Sequence, residues 1–105
     1  MVTTMNRLEH ARIVASAVTD PEVPVLTIAD LGVLRDVTMD GDAVTVTITP
    51  TYSGCPAMET IRDDLHLALE AAGFTNVTIN LTLSPAWTTE WMSAEGKQKL
   101  TAYGI

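Results

Sequence analysis

A single cysteine, Cys55, stands in this chain, in the stretch "TPTYSGCPAMETIRDDLHLALEAAGF" (residues 49–74), where a Thr-rich alternating segment runs into an amphipathic one. One cysteine cannot form an internal disulfide, so its chemistry is that of a lone sulfur. Pro56 suits the first position of a helix, where a missing N–H costs nothing, and Cys55 then takes the N-cap. The first-turn amides point toward the sulfur, and the helix dipole adds about half a positive charge. Both favour thiolate over thiol, and thiolate is the nucleophile and the metal ligand. Tyr52, Ser53 and Gly54 make the loop before it narrow and flexible, while Glu59 and Asp63 add opposing negative charge within two turns. The alternative is a half-buried small hydrophobe with no chemistry.

Other reactive groups are few. His10 and His66 are the only histidines; both fall on the polar side of a helical wheel and read as surface residues. No tight Cys/His spacing suggests structural zinc. Asp20, Glu22 and Asp30 lie in "DPEVPVLTIADLG" and could do acid–base work or ligate a transient metal beside Cys55. Asp20 serves equally as a loop cap and Asp30 as a turn residue, and no base–nucleophile pair is visible. Trp87 and Trp91, four apart and followed by Met92, either pack the tail onto the domain or form an aromatic patch for a partner.

The elements that must hold these groups follow from periodicity. Leu8, Ala11, Ala15 and Val18 form a helical stripe over residues 7–18, with Asn6 and Glu9 placed for a capping box. Asp20-Pro21 stops that helix, and two prolines make the next segment an ordered loop. Residues 33–39 alternate, with Val33, Val37 and Met39 on one face and Arg35 an exception. Asp40-Gly41 signals a two-residue type I′ hairpin. Val44, Val46 and Ile48 then face one way, and Thr45, Thr47 and Thr49 the solvent. Residues 76–83 repeat the pattern, with Val77, Ile79, Leu81 and Leu83 apolar. Between these strands Met58, Ile61, Leu65, Ala68, Leu69 and Ala72 make a buried helical stripe, closed by Gly73 at C′. Strand–helix–strand predicts a right-handed crossover and parallel pairing. Ser93 caps a last short helix, with Lys97 and Lys99 in its later turns. The expected fold is α+β: a two-layer α-β-β-α-β sandwich, a three-stranded mixed sheet with helices on one face.

Composition narrows the function. At 105 residues, with 47% hydrophobic and 18% charged residues, the chain reads as one folded domain. A net charge of −7 repels a phosphate backbone, so nucleic acid is a poor partner. No apolar run is long enough to span a membrane, and the N-terminal stretch, with Glu9 and Arg12, does not read as a signal peptide. These features predict an acidic cytoplasmic protein.

Three stretches, "DPEVPVLTIADLGVLRDV", "TPTYSGCPAMETI" and "SPAWTTEWMSAEGKQKLTAYGI", resemble the family of small iron–sulfur assembly factors that includes SufT and PaaD. The resemblance runs from about Leu8 to Ile105, and the Trp87-Thr88 and Gly104-Ile105 ending looks most like the PaaD branch, the maturation component of the phenylacetyl-CoA epoxidase system. It implies the α-β-β-α-β fold and a non-enzymatic role in loading the metal or iron–sulfur centre of such an oxygenase. Cys55 is then the thiol that contacts metal, with Asp20, Glu22, Asp30 and Thr51 around it. The cargo implied is a transient iron–sulfur cluster or iron, with no tightly held cofactor. The implied partners are client oxygenase subunits, iron–sulfur assembly proteins and a second copy of the chain. PaaD-type proteins commonly continue into a cysteine-rich, zinc-ribbon-like tail that has no counterpart in residues 1–105, so functions needing its metal are not expected here. The second reading is a protein–protein adaptor whose cysteine is incidental and whose tryptophans dock the client.

Overall fold

The structure, a computed structural model, describes residues 6–21, 24–50, 57–83 and 87–103. Helix α1 spans Arg7–Ser16, and the Asn6 side chain accepts the Glu9 amide at 2.8 Å to start it. Ala11 and Ala15 are fully buried; their small side chains let the helix lie close against the sheet. The helix ends before Pro21 because residues 18–20 are drawn into a short antiparallel bridge. The Ile28 amide donates to the Val18 carbonyl at 2.8 Å and the Asp20 amide to the Leu26 carbonyl at 2.9 Å.

The segment expected as loop holds one helical turn, α2 (Ile28–Leu31). Its cause is a reciprocal capping box: Thr27 Oγ1 accepts the Asp30 amide at 3.0 Å, and Asp30 Oδ2 accepts the Thr27 amide at 3.1 Å. Gly32, at φ 76°, ends the turn in the left-handed region.

Strands β1 (Leu34–Asp40) and β2 (Ala43–Ile48) pair antiparallel, and β3 (Asn76–Leu81) pairs parallel to β2, giving the order β1-β2-β3. Helix α3 (Ala57–Ala71) makes the crossover. Three details depart from expectation. Arg35 breaks the alternation because the register slips between Leu34 and Asp36, a bulge that leaves it as the extra residue. The hairpin loop is Gly41-Asp42, between the paired Asp40 and Ala43, with positive φ at Gly41 alone; that is the II′ pattern rather than I′. Thr49 is 1% exposed, since the alternation ends with β2 and Thr49 and Pro50 lie in the joint where the chain leaves the sheet.

Helices α1 and α3 cover one face. Between the layers Val37, Val44, Val46, Ile48 and Ile79 meet Ile61, Leu65 and Leu69, with Phe74 closing the end of α3. The exposed side of α3 includes Leu67, 66% accessible. Leu65→Ala, a truncation in the sealed layer, is expected to cost about 2–5 kcal/mol. Leu67→Ala should stay within about 0.5 kcal/mol. Urea unfolding of the two variants, followed by circular dichroism, reads the difference.

Candidate functional site

One end of the sheet gathers the pieces. The Thr49 amide donates to the Val33 carbonyl at 2.9 Å, the Val33 amide to the Ile28 carbonyl at 3.0 Å, and the Thr82 amide to the Ile48 carbonyl at 2.9 Å. The carboxyl ends of the parallel strands β2 and β3 therefore adjoin α2. The chain leaves β2 here, and α3 begins at Ala57 and runs back along the sheet. Its first turn thus lies at this same end, the position where ligands bind parallel sheets. Thr49 Oγ1 is buried there, with no hydrogen-bond partner among the described residues.

Cys55, Thr51 and Glu22 lie outside the described residues. Asp20 and Asp30 are both buried, at 8% exposure each, and belong to the bridged segment and the α2 turn that it feeds. Both residues thus lie in one loop segment at the end of the sheet that carries the α3 N-terminus. Among the described residues, no group of three or more His, Cys, Asp or Glu side chains is arranged to hold a metal ion.

Asp30 is fully engaged. Beyond the capping box, Oδ1 accepts the Ser93 hydroxyl at 3.2 Å and Oδ2 accepts Lys99 Nζ at 2.8 Å. Its carbonyl accepts the Ser93 amide at 2.9 Å. Ser93 Oγ in turn accepts the Gly96 amide at 2.9 Å, capping α4 (Ala94–Tyr103). A Cβ on Gly96 would lie 2.6 Å from the Asp30 carbonyl oxygen, so only glycine lets α4 approach this closely. The tryptophans join the same contact. Trp87 Nε1 donates to the Leu31 carbonyl at 2.8 Å. Trp91 presses on Gly32, where a Cβ would lie 2.6 Å from the Trp91 Cβ, and the Arg35 guanidinium stacks 3.6 Å above the indole. Both tryptophans pack the tail onto the domain and remain partly exposed.

Sequence reasoning placed Ser93 as a cap and missed its link to Asp30, as it missed the ion pair of Lys99. The pattern Thr27-Ile28-Ala29-Asp30, followed by Gly32, was the available signal for a capped turn. The histidines are less free than expected. His10 is half-buried with its ring 5.4 Å from that of Phe74, and the Arg7 guanidinium lies 4.6 Å over the Phe74 ring. His66 is also half-buried, in a surface hollow with Glu59, Arg62 and Asp63.

Burial alone would raise the Asp30 pKa. The Lys99 hydrogen bond, the Thr27 amide and the Lys99 charge outweigh it and hold the carboxyl below its ordinary value. The hydrogen bond to Asp30 raises Lys99. A depressed carboxylate stabilises the fold above its unfolded pKa, about 3.9, and loses that contribution as pH falls through the folded value. A raised lysine contributes below its unfolded pKa, about 10.4, and loses it as pH climbs past the folded one. Asp30→Asn is therefore expected to melt at lower temperature than the wild type at pH 7. The gap between the two should narrow as pH falls below about 4, as thermal melts across pH would show. Gly96→Ala should also lower the melting temperature, through contact with backbone that cannot turn aside.

Comparison with known proteins gives this arrangement a family. Residues 14–81 match the iron–sulfur cluster assembly protein family. An Escherichia coli protein provisionally named as a subunit of 1,2-phenylacetyl-CoA epoxidase is 49% identical over 90 residues; the match takes in 86% of this chain but spans only about half, 54%, of that relative's length. An Fe-S protein maturation auxiliary factor of Porphyromonas gingivalis is 40% identical over 77% of this chain and 78% of its own. The crystal structure of a domain of unknown function from Bacillus anthracis superposes with a TM-score of 0.82 at 30% identity, covering 90% of this chain and 91% of that one. The capped α2 turn, the mixed sheet and the helix that opens just after Cys55-Pro56 are thus features of a chain that belongs to the iron–sulfur cluster assembly protein family.

Proposed function

We propose that this chain is an auxiliary maturation factor, not an enzyme, that uses Cys55 to pass iron or an iron–sulfur cluster to a client protein. The observation that carries the reading is the start of α3. A fifteen-residue helix opens at Ala57, directly after Cys55-Pro56 in sequence, so its positive dipole end lies where the chain enters from the segment that bears the sulfur. Such a setting favours thiolate. The cargo is a substrate and not a resident group. A cluster is typically held by four thiolates and this chain has one, so the remaining ligands come from donor and client.

On this reading Thr51, Glu22 and Asp20 are the polar groups around Cys55. Asp30 braces the site, and its oxygens would reach a metal only on release of Lys99. Residues 1–105 act as one assembly-factor domain in the cytoplasm. The likeness to the Escherichia coli relative suggests the client: an oxygenase that acts on phenylacetyl-CoA, approached together with other iron–sulfur assembly proteins. The adaptor reading relied on exposed tryptophans, and both are partly engaged, Trp87 with the Leu31 carbonyl and Trp91 with Gly32 and Arg35.

Anaerobic reconstitution with iron and sulfide, followed by incubation with the apo-client, tests the proposal. Wild type should gain visible absorbance and restore client activity. Cys55→Ala should keep the wild-type circular dichroism spectrum yet restore no more activity than a blank. Equal maturation by both proteins would end the idea. The rate of Cys55 alkylation against pH gives an independent reading: a curve like that of free cysteine would leave only an adaptor.

A further inference from the structure

The two edges of the sheet are built differently. The β1 edge carries a bulge at Arg35 and three charged residues, Arg35, Asp36 and Asp40. These are devices that discourage strand-to-strand association. The β3 edge has none of them. Residues 76–83, Asn-Val-Thr-Ile-Asn-Leu-Thr-Leu, contain no charge and no proline, in a protein of net charge −7. Among the described residues no strand pairs the outer side of β3. Leu81 is 47% exposed and Leu83 60%, although both continue the apolar row of the buried Ile79.

We infer that the β3 edge is a self-pairing surface, on which a second copy of this chain docks antiparallel about a two-fold axis through Asn80. The backbone supports that register. The Thr82 amide points inward, to the Ile48 carbonyl, and the period of two turns the amides of Thr78 and Asn80 inward as well. The outward donors and acceptors then belong to Val77, Ile79, Leu81 and Leu83. Pairing Val77 with Leu83 of the partner subunit, and Ile79 with Leu81 of the partner subunit, makes each a hydrogen-bonded pair that exchanges two bonds. Opposed residues share a face, so apolar meets apolar: each copy's exposed leucines gain cover against the other's Val77 and Ile79. Thr78 stands opposite Thr82, and Asn80 opposite its own symmetry mate. The strand is thus complementary to itself, as an isologous contact requires. A partner chosen by charge would find no charge here to read. The guarded β1 edge stops the association at two copies. This inference is independent of the cluster-handling proposal, since no step of it involves Cys55.

Analytical ultracentrifugation over a concentration series tests it, with the full chain in reducing buffer. Wild type is expected at twice the monomer mass, with Leu81→Lys at the monomer mass and an unchanged circular dichroism spectrum. Leu67→Lys, exposed on α3, should remain a dimer. The second measurement uses Asn80→Cys in a Cys55→Ser background. Asn80 is exposed and opposes its symmetry mate in a close, non-hydrogen-bonded pair, so mild oxidation should cross-link it, while Thr38→Cys on β1 in the same background should not. A monomeric wild type overturns the inference, and so does a dimer that survives Leu81→Lys without cross-linking at Asn80. A monomer in which Leu81→Lys weakens client binding would overturn it too, and assign the edge to a strand of the client.

Discussion

A single carboxylate, that of Asp30, organises one end of this protein. It closes the α2 turn through the Thr27 amide, accepts the Ser93 hydroxyl and pairs with Lys99, all within 2.8 to 3.2 Å. Burying a carboxylate is costly unless it is paired and hydrogen-bonded. Here each lost water contact has a replacement, and the replacements come from two segments more than sixty residues apart in sequence. The arrangement therefore links the start of the chain to its tail. Removing Lys99 would strand the Asp30 charge at a nearly closed position. Gly32 and Gly96 complete the joint by subtraction, since each lacks the Cβ that would strike Trp91 or the Asp30 backbone.

That joint matters because of where the sheet sends the chain. A parallel pair needs a crossover, and the crossover helix must begin at the carboxyl end of β2 and return along the sheet. The N-terminus of α3 is thereby set at the same end of the sheet as α2, whose position the hydrogen bonds from Val33 to Ile28 and from Thr49 to Val33 hold to the sheet. A lone sulfur near a helix start gains little if the surrounding segments drift. Here the neighbouring turn is fixed by a capping box, an ion pair and two indoles. The topology gives the location, and the Asp30 joint gives the rigidity.

The sheet and both long helices were legible because their signals are local and repeated. Val44, Val46 and Ile48 announce β2 by alternation alone, and Ile61, Leu65 and Leu69 announce α3 by helical spacing. The α2 turn was readable in principle from Thr27, Asp30 and Gly32, but two prolines in the same segment favoured a loop. The Arg35 bulge showed only as a misfit, since a pattern reveals that a residue is out of phase and not why. Least legible was the role of Asp30. Nothing local in "TIADLG" announces a lysine at position 99, and long-range ion pairs have no period. A buried Thr49 was likewise invisible, because at a strand end the alternation no longer decides which side is covered.

Self-pairing at β3 and cluster transfer at Cys55 are separate proposals drawn from the same sheet. Leu81 is level with Ile48 in the register, so the Cys55-bearing segment leaves from the carboxyl end of the parallel strands. Antiparallel pairing about Asn80 sends the two such ends in opposite directions. Leu81 stands one residue from that axis, opposite Ile79 of the partner subunit, so the two exits are offset by only two residues, about 7 Å along the strands, while the two β2 strands lie three strand spacings, about 14 Å, apart. With each Cys55 acting alone, as proposed above, the other ligands come from the donor on one side of the exchange and the client on the other. A cargo tied to its carrier by one thiolate is easily surrendered, which suits delivery better than storage.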